Sequence, residues 1–242
     1  MAPRNSVSKH SLHAAMPSPE SSSASEPESS DDEQHQLSDK IADTFVDNEF
    51  EGRQVFIPEG SLDDILTPTT ISDQLLSCID GEKDEAPCDF DELVKFIRFR
   101  AKKLFAICVC AKIKGHDLFQ AMMLFQKHGF TDDRLPVKPF PRKGKAKARD
   151  HELGMLDKYI WDKETIRDFC ERQWRFLAPV FEIATGSHSP PKDWHDFQHY
   201  HILPFIKKFN EGSANGSFGR VYKCQIHPKH MSPNPPVSPY HA

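Results

Sequence analysis

Asp89-Phe90-Asp91-Glu92-Leu93-Val94-Lys95-Phe96-Ile97-Arg98-Phe99-Arg100-Ala101-Lys102-Lys103-Leu104-Phe105-Ala106-Ile107-Cys108-Val109-Cys110-Ala111-Lys112 carries the strongest helical repeat in the chain. Phe90, Leu93, Val94, Ile97, Ala101, Leu104, Phe105 and Cys108 recur at intervals of three and four. Lys95, Arg98, Lys102 and Lys103 take most of the other face. That period places the apolar set on one stripe of an α-helix and the cations on its solvent side. The spacing predicts one helix over residues 89–112. A second follows over 117–128, with Leu118, Met122 and Phe125 inward and Gly129 as its stop. Gly115 is the break between them, giving an αα-hairpin. The Phe and Met stripes read as core packing rather than as a cofactor box.

Moving toward the N-terminus, Ile71 to Ile79 has helical spacing and is closed by Asp80-Gly81, with Ser61 or Thr70 as candidate caps. Residues 1–40 are rich in Ser, Pro and acid and poor in large apolar side chains. They are expected to be a disordered tail, because too little surface can be buried to offset chain entropy. Ser25, Ser29 and Ser30 precede acidic residues. They read as part of a solvating acidic tract, with acid-directed phosphorylation as the functional alternative.

Toward the C-terminus, residues 136–149 form a basic loop. A solvated loop is the bland reading; nuclear import, a nucleic-acid contact or docking of the acidic tail are the others. Asp162 caps the next predicted helix, whose inner face runs through Ile166, Phe169, Cys170, Gln173, Trp174, Leu177 and Phe181, with Pro179 bending or ending it. These segments define a helical domain over residues 41–185, and a Gly/Ser/Pro linker occupies 186–200. His195, His199 and His201 stand beside Asp193 and Asp196. Their spacing meets no recognised metal pattern, and Trp194, Phe197 and Tyr200 among them favour packing at a domain junction.

Residues 201–228 differ in character. Asn215-Gly216-Ser217-Phe218-Gly219-Arg220-Val221-Tyr222-Lys223 has two glycines three apart, an aromatic before the second and a valine two after it. Val221, Lys223 and Gln225 alternate with Tyr222, Cys224 and Ile226, as in a half-buried strand. This stretch resembles the glycine-rich loop of protein kinases, a β-hairpin lid over ATP. The competing reading is an ordinary turn between two strands, since Ala214 stands where the kinase pattern has its first glycine. Ile202-Leu203-Pro204-Phe205 before the loop and Val221-Tyr222-Lys223-Cys224-Gln225-Ile226-His227-Pro228 after it extend the likeness. So do Phe56-Ile57-Pro58-Glu59-Gly60-Ser61-Leu62 with Thr67, and Gln173-Trp174 with Phe176-Leu177-Ala178-Pro179-Val180-Phe181. Together, over roughly residues 45–230, they resemble fungal protein-kinase-like proteins with a long N-terminal helical extension.

The resemblance implies the start of an ATP-binding N-lobe. Gly216, Ser217, Phe218, Gly219 and Val221 would contact the nucleotide. ATP would be the ligand, magnesium would be required only in a complete family member, and protein Ser/Thr would be the substrate. The strand-three lysine, the H-R-D segment and the D-F-G segment do not occur in these residues, so the chain is read as inactive and cut off just after the loop. Residues 229–242, with prolines every few positions, are expected to be a disordered tail, and the hairpin to be held only by the Trp174 helix or else frayed. The expected fold class is mainly α, with a helical N-terminal domain followed by a β-hairpin. The second functional reading is a non-enzymatic module whose helical domain docks a protein partner.

Composition agrees with a chain only part of which joins a core. The 242 residues are 38% hydrophobic, against a globular norm of about 45–50% counted on a slightly different set. The net charge of −5 disfavours a general nucleic-acid binder. Six cysteines contain no C-x-x-C pair and read as reduced core thiols of an intracellular protein. No secretory leader is visible, and the longest apolar run is too short for a bilayer, so a soluble protein without membrane association is expected.

Overall fold

A computed structural model of the chain describes residues 30–50, 52, 54–79, 89–113, 115–137, 153, 154, 156, 161–182, 197–216 and 219–232. The fold is mainly α. Helices α1 (Ser30–Ala42), α2 (Ser61–Ile65), α3 (Pro68–Leu76), α4 (Phe90–Arg100), α5 (Lys102–Cys110), α6 (Gly115–Lys127) and α7 (Lys163–Arg172) surround one apolar core. Strands are few. β1 (Val46–Asp47) pairs antiparallel with β2 (Val55–Phe56), and β4 (Phe205–Gly216) with β5 (Gly219–Ile226). β3 (Phe181–Glu182) pairs in parallel with β6 (Met231–Ser232). Among the described residues no helix is long and apolar enough to cross a membrane.

The stretch at residues 89–112 is two helices rather than one. Its apolar stripe is buried as the period requires, with Leu93, Ile97, Leu104, Phe105 and Cys108 at 0% exposure. The helix nevertheless breaks at Ala101, where φ is −137° and ψ 30°. The break is sustained from outside the segment. Asp132, in a 3₁₀ turn (Asp132–Arg134), accepts the backbone N–H of Lys103 through Oδ2 and that of Leu104 through Oδ1, both at 2.9 Å. These are the second and third amides of α5, the positions an N-cap side chain serves. Burial pushes the Asp132 carboxyl above its usual range, against the opposing pull of those two amides and of Lys103 and Lys102.

The α5–α6 turn and the end of α6 use the same C-terminal closure. Ile113 N–H donates to Cys108 O and Lys112 N–H to Val109 O. Likewise Phe130 N–H donates to Phe125 O and Gly129 N–H to Gln126 O. In both, the residue after the cap is left-handed: Gly129 at φ +59°, and Lys112, which carries a Cβ, at φ +57°. The apolar contact that accompanies this motif is visible at α6, where the Phe125 and Phe130 rings stack 5.3 Å apart.

Several expectations are corrected. The part of the acidic tail from Ser30 is helical, because α1 spans Ser30–Ala42, and Leu37 (4% exposed) and Ile41 (0%) anchor its last turns in the core. Residues 1–29 lie outside the described part. Neither Ser61 nor Thr70 is a cap. Gly60 precedes α2, and Thr67 caps α3 by accepting Thr70 N–H at 3.1 Å, with Pro68 in the first helical position. Asp162 does cap α7, accepting Thr165 N–H at 2.7 Å. That helix then tightens into a 3₁₀ turn (Gln173–Phe176), and Phe181 belongs to β3. The tail expected over 229–242 is built into the fold as far as Ser232, since Lys229 and His230 sit in a 3₁₀ turn (Pro228–His230) that leads into β6. The remaining positions of that tail, the linker up to residue 196 and the basic loop from residue 138 lie outside the described residues.

Among the described residues five cysteines are free thiols. Cys78, Cys108, Cys110 and Cys170 are buried and Cys224 is half-buried. Desolvation raises the thiols of Cys78 and Cys108, and takes Cys110 to about 11.

Candidate functional site

The candidate site is the β4–β5 hairpin. Its register pairs Phe205 with Ile226, Lys207 with Gln225, Lys208 with Cys224 and Phe209 with Lys223. Beyond a bulge it continues with Ala214 opposite Val221, Asn215 opposite Arg220 and Gly216 opposite Gly219. Three of the five expected contact residues, Gly216, Gly219 and Val221, are thus brought to one end of one hairpin. Gly216 and Gly219 close the ladder as its last pair, and Val221 follows two positions along β5. Ser217 and Phe218, which connect the two glycines, lie outside the described residues.

The bulge has a physical role. Between Phe209 and Ala214 β4 advances further than β5 does between Lys223 and Val221. A second, smaller shift lies at the base between Phe205 and Lys207; such insertions bend a strand and increase its twist.

The two faces of the hairpin differ. Tyr222 takes the inner face and packs edge-on against Phe50 at 5.4 Å. Phe50 in turn meets Phe205 at 5.7 Å. The Lys208 ammonium lies 3.9 Å from the Tyr222 ring centroid and 4.7 Å from that of Phe50, within cation–π range of both. Val221, 65% exposed, and Lys223 take the outer face. There Lys207 and Lys223 place their ammoniums 5.1 and 5.3 Å from the Phe209 ring. The arrangement leaves an apolar side chain and two ring-held cations on an open surface beside a glycine pair. An anionic group with a planar apolar part would find complementary chemistry there.

The base of the hairpin is fixed by more than the Trp174 turn, which corrects the expected single brace. Glu49 N–H donates to Phe205 O at 3.1 Å, and His227 N–H closes the base on Pro204 O at 2.8 Å. Phe181 stacks on Phe205 at 6.4 Å. Beneath these, Phe56, Ala178 and Ile202 form a small buried cluster with Val46, Trp174 and Ile206 against it. This cluster is separate from the main helical core.

Two histidines border that cluster, and neither drew a functional reading from the sequence. The Phe56 ring meets His227 edge-on at 5.9 Å and His230 at 5.3 Å. His227 is held below its ordinary value by burial and by the neighbouring His230 and Lys229. His230 is 1% exposed, and burial likewise lowers it, against hydrogen bonds to Pro179 and Ile57 that favour the charged ring. A lone histidine in a proline-rich tail has no period or spacing to mark it. His199 and His201 pack with Tyr200, and His201 also meets Trp174 at 5.1 Å. His195 lies outside the described residues. Among the described residues no three His, Cys, Asp or Glu side chains gather as a metal site would require.

Two clefts lie elsewhere. One, of about 400 Å³, runs between α7 and the Trp174–Tyr200 stack and includes Pro136, Arg167 and Glu171. The other, of about 180 Å³, lies beside Pro58, Phe99 and Lys102. Among the described residues neither cleft is lined by the hairpin. No protein-family model matches the chain, and neither a curated protein nor a solved structure is significantly similar to it.

Proposed function

We propose that this chain is a protein-kinase-family polypeptide in which a regulatory helical domain carries the opening hairpin of an ATP-binding lobe. Gly216, Ser217, Phe218, Gly219 and Val221 are assigned to nucleotide contact. The observation that supports the reading is the pairing of Gly216 with Gly219 at the end of an antiparallel hairpin, with Val221 exposed beside it. Glycines at that end permit backbone N–H groups to approach phosphates where a Cβ would collide. The exposed valine supplies an apolar surface for a base. ATP fits the residues only in part, because the lysine, aspartate and asparagine that hold phosphates and magnesium in complete kinases have no counterpart motif here. Bound ATP would supply the transferable phosphoryl group in a complete family member, whose activity is protein Ser/Thr phosphorylation. In this chain the hairpin residues bind and orient, and no phosphate transfer is expected.

Titration with Mg·ATP tests the reading. Calorimetry is expected to show no affinity tighter than about 1 mM, the level of roughly −4 kcal/mol. Backbone amide shifts in saturating Mg·ATP are expected at residues 216–221 and to vanish in Gly219→Val. Micromolar affinity would show a complete pocket, and the absence of shifts at those amides would remove the nucleotide reading.

The self-contained helical core favours a second reading, a non-enzymatic module for a protein partner. Leu93, Ile97, Phe105, Phe119, Phe125 and Phe169 are fully buried without help from the hairpin. Deleting residues 200–242 is expected to leave one cooperative thermal transition at a lower midpoint, because Ile202 and His230 leave the small cluster. A non-cooperative melt would show that the helical part exists only as a brace for the hairpin.

A further inference from the structure

His230 is tied to two segments far from it in sequence. Its Nε2 lies 3.2 Å from the backbone N–H of Glu59, which donates to it, and 3.3 Å from the carbonyl of Ile57. Its Nδ1 lies 3.0 Å from the carbonyl of Pro179. The neutral ring with its proton on Nδ1 satisfies the Glu59 N–H at Nε2 and the Pro179 carbonyl at Nδ1 together, whereas the Ile57 carbonyl beside Nε2 favours a second ring proton. Around it, residues 228–232 are held by the β3–β6 pair and by Lys229 Nζ, 3.3 Å from Ser61 Oγ. The ring also covers Phe56. The small cluster beneath the hairpin is therefore closed by a side chain that can change charge near neutral pH.

We propose that His230 is a protonation-sensitive latch: the neutral ring fastens the segment after β5 to the helical domain, and uptake of a proton at Nε2 releases residues 228–232. A proton arriving from solvent at Nε2 turns the acceptor of the Glu59 N–H into a second donor facing it. The Glu59 amide then loses its partner, and only the more distant Ile57 carbonyl can take the new N–H. The resulting charge is enclosed at 1% exposure. Charged groups on every adjoining element bear on the outcome. Glu59 favours the imidazolium, but its carboxylate is held by Lys103 Nζ at 3.2 Å, and Lys103 opposes it. On the latch's own turn His227 and Lys229 add like charge or the potential for it. Glu182, at the exposed end of β3, is the register partner of Ser232.

The sign follows from the depressed value of the folded ring. His230 in the released segment titrates at its ordinary 6.5, and in the closed latch below it. Closure is therefore fully favoured above 6.5 and is progressively lost as pH falls through that value toward the lower folded one. Each unit of depression changes the open-to-closed ratio by about tenfold over that window. The latch stands on the geometry of residues 57–59, 179 and 230 and holds whether or not the hairpin binds a nucleotide. If it does, acidification would free the lid's C-terminal anchor while Pro204 and His227 keep its base closed.

The experiment uses the full chain. Hydrogen exchange, corrected for intrinsic rates, is expected to show protection of the Met231 and Ser232 amides falling between pH 7.5 and 5.5, by at most about tenfold, with α5 unchanged. In His230→Gln that pH dependence disappears, and in His227→Gln it stays. Ring titration by NMR, which does not depend on any variant folding, is expected to place His230 below 6.5. Protection of Met231 and Ser232 that is independent of pH, dependence that survives His230→Gln, or a ring value at or above the ordinary one would each overturn the proposal.

Discussion

Phe125→Ala is expected to lower the unfolding free energy by about 3–5 kcal/mol, the range for removing a fully buried phenylalanine. The position joins three pieces of the fold. Phe125 closes α6 by stacking on Phe130 and meets Trp161 edge-on at 6.2 Å, and Trp161 packs on Phe169 of α7 at 5.3 Å. Truncation therefore leaves a cavity between α6 and α7 and also loosens the C-terminal closure of α6. Denaturation in urea should show a lower midpoint with an unchanged slope. Phe125→Leu, which keeps most of the volume, should cost about 1 kcal/mol. Equal losses for the two variants would mean that the ring stack, not the filled volume, holds this junction.

Gln173→Leu is expected to be nearly as damaging, at about 3 kcal/mol, through polar groups rather than volume. Gln173 is fully buried, and its amide acts as a substitute strand partner. Oε1 accepts Val137 N–H at 2.7 Å, while Nε2 donates to Val137 O and Cys170 O, each at 2.8 Å. Leucine keeps the size and strands a buried N–H and two carbonyls. Gln173→Glu separates this account from simple packing. It keeps the acceptor for Val137 N–H but turns a carboxylate oxygen toward two carbonyls. Burial and that repulsion raise the new carboxyl in the folded state. The variant should then be relatively more stable in acid, where the group is protonated and can donate, and lose stability as pH rises through the folded value. Chemical denaturation at pH 5 and pH 8 distinguishes the two cases.

The legible part of this fold is the part with local causes. The stripe from Phe90 to Cys108 is inward as its spacing requires, Asp162 caps α7, and Gly129 ends α6. The alternation of Val221, Lys223 and Gln225 with Tyr222, Cys224 and Ile226 marks β5 and the open side of the hairpin. What escaped reading has distant causes. Nothing near Ala101 announces a break, because the carboxylate that caps the new helix belongs to Asp132. Leu37 and Ile41 are two apolar residues at the edge of an acidic tract, and their burial depends on a groove formed by later helices. The prolines beyond residue 229 read as an unstructured tail, yet Lys229 and His230 lie in a 3₁₀ turn opened by Pro228, where a missing N–H is no loss. The role of His230 was invisible for the same reason: its partners Ile57, Glu59 and Pro179 are remote, and two of them contribute only backbone.

The distance of those partners also sets an order of assembly. Helices α4, α5 and α6 are consecutive and close on one another through short loops, whereas the Glu59–His230 contact spans 171 residues and the Ser61–Lys229 contact 168. Local helical contacts form early, and long loops add closure entropy before any contact repays it. On a ribosome, residues 57–61 are delivered long before the segment that completes them, and domains fold as their residues emerge. The helical core is thus a finished platform whose Glu59 amide and Pro179 carbonyl stay hydrated until the last described residues arrive. Among the described contacts, that of His230 with Glu59 is therefore one of the later to form.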